Sequence, residues 1–314
     1  MKGKRKSLDR ISFLPQGTVE KILTHMPIRD ALRTSILSTK WKYFWRSIPK
    51  LVFNKTMVVS CDNDELYKYK FLNAIFHVLM LRTAPILEFS LFVDTDIFAN
   101  EMVCQFLTNC PLLEEFTWNN CYNDIYITEC ELVELLKCIP SVQVLKIYQM
   151  NTKHLGAGSM PRKLPVTLPH LRTLVLKVCF YELSTVLCMI SSFPNLEKIM
   201  IVCLDRCGWC YDHTFKTMLD PQDYSFLKLD HLKEMEIIGF QNYDIEVEFV
   251  KLIMAKSPVL KKAQIELNFD VSHDVEDQMV RYLLHKPFPC ASPAASLTCK
   301  QLYRDYMHSP RKLH

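Results

Sequence analysis

Glycine is scarce in this chain: six residues in 314, none set in a G-x-G-x-x-G or P-loop pattern. A phosphate-cradling loop needs glycines where backbone N–H groups close on the ligand, so nucleotide chemistry of that kind is excluded. Long apolar runs are missing too. The longest, Phe71 to Leu81, contains His77 and falls short of the roughly 18 residues needed to cross a bilayer. Excess charge is confined to one end. The formal net charge is +4, and Lys2, Lys4, Arg5 and Lys6 alone supply four positive charges, leaving residues 7–314 at zero. A surface that tracks phosphates needs a basic face on the folded part, which argues against nucleic acid as a partner. No apolar stretch follows Met1–Lys6, so no secretory signal is expected, and the basic run suits either nuclear import or a solvated terminus.

Cysteine is plentiful at 13 residues, an odd number. Without a secretory signal these are expected to be free thiols in a reducing compartment, the nucleus or the cytoplasm, where Cys packs as a small hydrophobe. Hydrophobic residues make up 49% and charged ones 23%, enough apolar material for a packed chain of about two domains. Cys203, Cys207, Cys210 and His213 crowd together. They could supply four zinc ligands, but structural zinc sites usually take their second pair from a distant segment. Cys207-Gly-Trp-Cys210 could serve thiol exchange only at the start of a helix in a βαβ unit, and no clean helical stripe follows. No metal and no cofactor is therefore expected, and no grouping of nucleophile, base and acid stands out.

Residues 9–53 hold three short apolar patterns in about 45 residues. Val19, Ile22, Leu23 and Met26 fall at i, i+3, i+4 and i+7, and Pro27 stops that helix. Ile28, Ala31, Leu32 and Ser35 repeat the spacing, as do Leu37, Trp41, Phe44 and Trp45. So small a unit has trouble covering its own apolar faces. The order of residues is more specific than the pattern. Leu14-Pro15, Ile22-Leu23, Met26-Pro27, Asp30-Ala31-Leu32-Arg33, Ser35, Leu37-Ser38 and Trp41 resemble the F-box. Asp9-Arg10-Ile11-Ser12 and Trp41–Trp45 resemble its plant subclass with leucine-rich repeats. The resemblance implies docking to a Skp-type adaptor, and through it to a cullin, by Leu14, Pro15, Ile22, Leu23, Met26, Pro27, Leu32, Leu37 and Trp41. Two departures weaken the fit. Gly17 sits inside the first helix, and the family's acidic residue after Leu-Pro is missing from Gln16-Gly17-Thr18.

Behind this segment the chain repeats itself. Aligned on Pro85, Pro111, Pro140, Pro169, Pro194, Asp230 and Pro258, it shows apolar residues two, five and seven positions later, broken only by Ser90. The anchors are 26, 29, 29, 25, 36 and 28 residues apart. This L-x-x-L-x-L pattern at 25–29 residues is that of a leucine-rich repeat, one short strand per turn, with each anchor proline ending a helix. A single strand and helix cannot hide their apolar faces, so neighbours must stack. A plain α/β domain is the alternative, although ordinary α/β units rarely keep such a period. Cys121, Cys179 and Asn268, ten residues after their anchors, stand where leucine-rich repeats favour Asn or Cys. His231–Phe240, Glu246–Ile253, Ser257–Lys262 and Pro289-Cys290-Ala291-Ser292-Pro293 resemble the FBD region of plant F-box proteins.

The expected fold is α/β: a three-helix F-box, then a curved leucine-rich-repeat solenoid with a parallel inner sheet and an FBD cap. The expected division is a basic tail (1–7), F-box (8–53), repeats (54–227), FBD region continuing the solenoid (228–293) and a poorly ordered tail (294–314). Positions four, six and eight after each anchor should face the concave side, Phe89, Leu91 and Val93 included. They run from Lys146, Tyr148, Lys177 and Lys198 to Glu234, Glu236 and Glu266, a gradient that a target protein could read; the loops are the other place for such a site. The implied function is substrate recognition for a ubiquitin ligase, without catalysis and without membrane contact. The alternatives are a repeat scaffold with a degenerate F-box and, behind it, a thiol oxidoreductase at Cys207 and Cys210.

Overall fold

The computed structural model describes residues 13–39, 41–58, 64–93, 101–120, 129–148, 163–179, 183–204, 224–268 and 290–301. Two short helices come first, α1 (Gln16–Thr24) and α2 (Ile28–Arg33). Each starts after a proline, Pro15 or Pro27, in extended conformation. Val19 and Leu23 on α1 and Ile28 and Ala31 on α2 turn inward. The third expected helix is not α-helical. Thr34–Ile36 and Trp41–Ser47 are 3-10 turns, and Trp41 and Trp45 of the second are both buried.

The chain then builds a single sheet, adding strands in sequence order. These are β1 (Lys50–Phe53), β2 (Glu88–Val93), β3 (Glu115–Asn120), β4 (Val144–Tyr148), β5 (Thr173–Val178), β6 (Lys198–Cys203), β7 (Glu234–Phe240), β8 (Lys262–Leu267) and β9 (Ser296–Gln301). Every neighbouring pair is parallel. Helices α3 (Asp64–Met80), α4 (Glu101–Thr108), α5 (Glu129–Lys137), α6 (Leu183–Ser192) and α7 (Asp244–Ala255) lie between strands. Four of them end two or three residues before Pro111, Pro140, Pro194 and Pro258, as expected of residues that cannot continue a helix.

One backbone motif recurs at each step from β1 to β8. The Pro49 carbonyl accepts the Leu87 and Glu88 N–H groups at 2.9 and 3.1 Å. The carbonyls of Leu87, Glu114, Gln143, Arg172, Glu197 and Lys233 do the same for the next strand. These bonds lock the register, and the register decides which side chains are buried. Leu51, Phe89, Phe116, Leu145, Leu174, Ile199, Met235 and Ala263 are aligned across β1 to β8, each no more than 1% exposed. Phe53, Leu91, Trp118, Ile147, Leu176, Ile201, Ile237 and Ile265 form a second buried row.

That register corrects the first repeat. Phe89 and Leu91 lie in the core beside Phe116 and Trp118, not on the open face. The unit is phased on Ala84, and Glu88, Ser90 and Phe92 are the outward residues. A slip of one residue flips every side chain of a strand, and Ser90 in an apolar position was its sign. The sheet is also longer than the seven anchors imply. β1 lies inside the segment assigned to the F-box and pairs with β2, while Ile48, Leu51 and Phe53 follow the same two-five-seven spacing without a proline. At the other end, residues 296–301 are no loose tail. β9 pairs with β8 over six residues, and Leu297 and Cys299 pack against the core. The outermost strand therefore lies beyond residues 228–293, where the cap was expected.

Candidate interaction surfaces

Around α1 and α2 the nine residues implied by the resemblance separate into three groups. Pro15, Ile22, Pro27 and Leu37 are exposed. Leu14, Met26 and Leu32 are partly buried against the core, and Leu32 lines a cleft with Trp45, Met57, His77 and Val78. Leu23 and Trp41 are buried, at 0% and 3% exposure, so they shape the segment from inside and offer no surface. Phe13 and Ile36, 77% and 88% exposed, were missed. Each adjoins a residue that was named, and helical periodicity hid Ile36 because its stretch is a 3-10 turn. No acidic residue occupies the first turn of α1, and a Cβ on Gly17 would meet nothing within 4 Å.

The open face of the sheet carries the second set. Strand alternation puts Lys146, Tyr148, Lys177, Lys198, Glu234, Glu236 and Glu266 there, partly or fully exposed. Their charges are not laid out as a free gradient. Lys146 Nζ is 2.6 Å from the Glu115 carboxylate, and Lys198 Nζ lies 3.2 and 3.8 Å from Glu234 and Glu236. Lys50 and Glu88 close a further pair at 3.0 Å. Sequence distance hid these pairs, because they join neighbouring strands. Burial first, and then the Glu115 carboxylate, raises the pKa of Tyr148. Below this row, at the turn into the strands, Glu197 takes Arg172 at 3.7 Å and Lys233 at 2.6 Å. The Lys233 hydrogen bond lowers its pKa.

A buried carboxylate holds the β7–α7 corner. Gly239 has φ +78° at a register shift, and a Cβ there would come within 2.7 Å of the Cys203 carbonyl oxygen. Glu246 Oε2 accepts the N–H groups of Gln241 and Tyr243, both at 3.0 Å, which ties the corner to the first turn of α7. Burial pushes the Glu246 carboxyl up to about 7, against the pull of its N–H donors and the neighbouring Cys203 thiol. Cys179 and Asn268 are buried as expected, whereas Cys121, Cys207, Cys210 and His213 lie outside the described residues.

The F-box domain family model matches residues 11–53, and the FBD model matches residues 229–265, which contain β7, α7 and the first strand residues of β8. An F-box/FBD/LRR-repeat protein of Arabidopsis thaliana is 23% identical, with 93% of this chain and 98% of that protein covered. An FBD-associated F-box protein of the same plant is 26% identical over 71% of this chain and 54% of its own length. Among solved structures, a leucine-rich repeat-containing protein from Legionella pneumophila gives a TM-score of 0.38 at 16% identity, covering 89% of this chain and 80% of its own. None of these descriptions names an enzyme. With a matched F-box at one end, a matched FBD region near the other and similarity along almost its whole length to a protein described by both, the chain is similar to plant F-box/FBD/LRR-repeat proteins.

Proposed function

We propose that this F-box protein is the substrate-recognition subunit of a Skp–cullin–F-box ubiquitin ligase. The observation that carries the reading is the division of the molecule. A matched F-box segment leaves Phe13, Pro15, Ile22, Pro27, Ile36 and Leu37 exposed, and a parallel repeat sheet presents a separate face of charged and apolar side chains. In this reading the F-box contacts a Skp-type adaptor and through it a cullin. The repeats form a curved solenoid whose open face takes a target protein, and residues 290–301 close its last edge. The protein makes and breaks no bond itself. It raises the local concentration of target lysines near a charged ubiquitin carrier, which is an effective-molarity role. The basic residues Lys2–Lys6 support a place in the nucleus, with the cytoplasm as the other compartment.

A second reading, a repeat scaffold whose F-box no longer docks, draws support from α1. Its first turn has no acidic residue and its N-cap no side-chain hydrogen bond. Co-purification with a Skp-type adaptor decides between the two. The wild-type chain is expected to bind, and a double change of Leu14 and Pro15 to Ala to lose the adaptor, because a few apolar anchors carry most of such an interface. Failure of the wild type to bind would leave the scaffold.

A further inference from the structure

The charges on the open face of the sheet are mostly spent on one another; among its described lysines, Lys177 near the centre and the exposed Lys262 at the start of β8 stand outside the ion pairs. Lys50, Lys146 and Lys198 each hold a carboxylate of a neighbouring strand. Lys177 has no ion-pair or hydrogen-bond partner among the described residues. Its register neighbours are Tyr148 on β4 and Val202 on β6, and Ile238 on β7 follows Val202. Val175 and Met200 are paired one step back along the same face. Tyr148, Met200, Val202 and Ile238 are half-buried, and Val175 is buried. A lone ammonium thus stands in an apolar patch bordered by closed ion pairs.

A half-desolvated cation among apolar side chains is completed by an anion that brings apolar flanks of its own. The surroundings also limit how much negative charge is admitted. Glu115 acts electrostatically on Tyr148, Glu236 is the register neighbour of Met200, and Glu266 lies in the same row beyond Ile238. One carboxylate is balanced by Lys177; the extra charge of a dianionic phosphate or an acidic run would find the neighbouring Lys146 and Lys198 already held by Glu115 and by Glu234 and Glu236.

We propose that Lys177, with Tyr148, Met200, Val202 and Ile238, docks a partner-protein segment that sets one Asp or Glu carboxylate on the Lys177 ammonium between apolar residues. The inference rests on the reading of the repeat sheet as the recognition surface and narrows it to a class of target sequence. It also replaces the three-lysine gradient, since Lys146 and Lys198 are already neutralised.

The test is selection of random-sequence peptides on the purified full chain. Enriched peptides are expected to share one acid flanked by apolar residues. Lys177→Glu should weaken a selected peptide about tenfold or more, and replacing the peptide's acid with Lys should restore binding to that variant. Lys177→Met should show the loss without the rescue, and unfolding midpoints equal to wild type separate lost contact from lost fold. Tyr148→Ala distinguishes the two levels of the argument. If it abolishes binding while Lys177→Glu does not, the face recognises targets but the carboxylate assignment is overturned. If neither variant matters, or nothing is enriched, both the assignment and the sheet-face reading fall.

Discussion

Ahead of β1 the chain leaves Phe13, Ile36 and Leu37 in solvent, whereas the two core rows of β1 to β8 are nowhere more than 2% exposed. Both regions hold apolar residues at regular spacing, so composition does not separate them. The difference lies in the number of neighbours. A strand inside the sheet has another on each side and a buried face beneath, and each unit covers the next. Helices of nine and six residues with two 3-10 turns have only one side to bury. An apolar residue that a short element cannot cover is available to a partner.

The largest expected effect tests that contrast directly. Ile147→Ala in β4 removes a fully buried side chain flanked by Trp118 and Leu176 in register, and should cost about 2–5 kcal/mol in urea unfolding. Leu37→Ala, at a position 53% exposed, should change stability by about 0.5 kcal/mol or less. Equal losses at both sites would mean that Leu37 is part of the chain's own core.

Next in size is a pH effect confined to the repeats. The folded-state pKa of Glu246 is raised from 4.5 to about 7. Between those values the folded chain keeps a proton that the unfolded chain has lost. Its stabilising contribution is therefore complete below about pH 4.5 and disappears as pH rises through 7. The change is on the order of 3 kcal/mol across the window. Glu246→Gln should flatten this slope in urea titrations at pH 5 and pH 8; an unchanged slope would assign it to other groups.

The smallest effect sharpens the F-box side. Gly17→Ala adds a methyl where nothing lies within 4 Å and should stabilise α1 by about 0.5–1 kcal/mol. Hydrogen exchange of α1 amides is the sensitive measure, and slower exchange is expected. If adaptor binding strengthens as well, helix fraying is what limits the dock; if it does not, the missing acidic charge is the better explanation.

Much of the repeat was legible because it rests on local rules. Proline ends a helix, and alternating residues then choose a face, so Leu145, Ile147, Leu174 and Leu176 could be named as core without coordinates. The first repeat failed for a related reason. Pro85 stands one position later than the repeat's phase, which strand pairing sets and proline does not. β1 and β9 carry no anchor proline, so a search built on proline passed over them. Leu23 and Trp41 were assigned to a surface because an apolar residue serves a core and an interface equally well, and only burial separates them.

Sequence by itself determined the two-part plan: a short helical segment with more apolar surface than it can cover, then units that must stack to bury theirs. Those outcomes follow from spacing along the chain, which is a one-dimensional property. Tertiary structure alone decided which charges remain free. Lys146 and Glu115 are 31 residues apart and Lys198 and Glu234 are 36 apart, yet a strand spacing of about 4.8 Å makes each pair neighbours. No pattern along the chain distinguishes Lys177 from the two lysines beside it. Among the described residues it has no ion-pair partner across the sheet, and the others do.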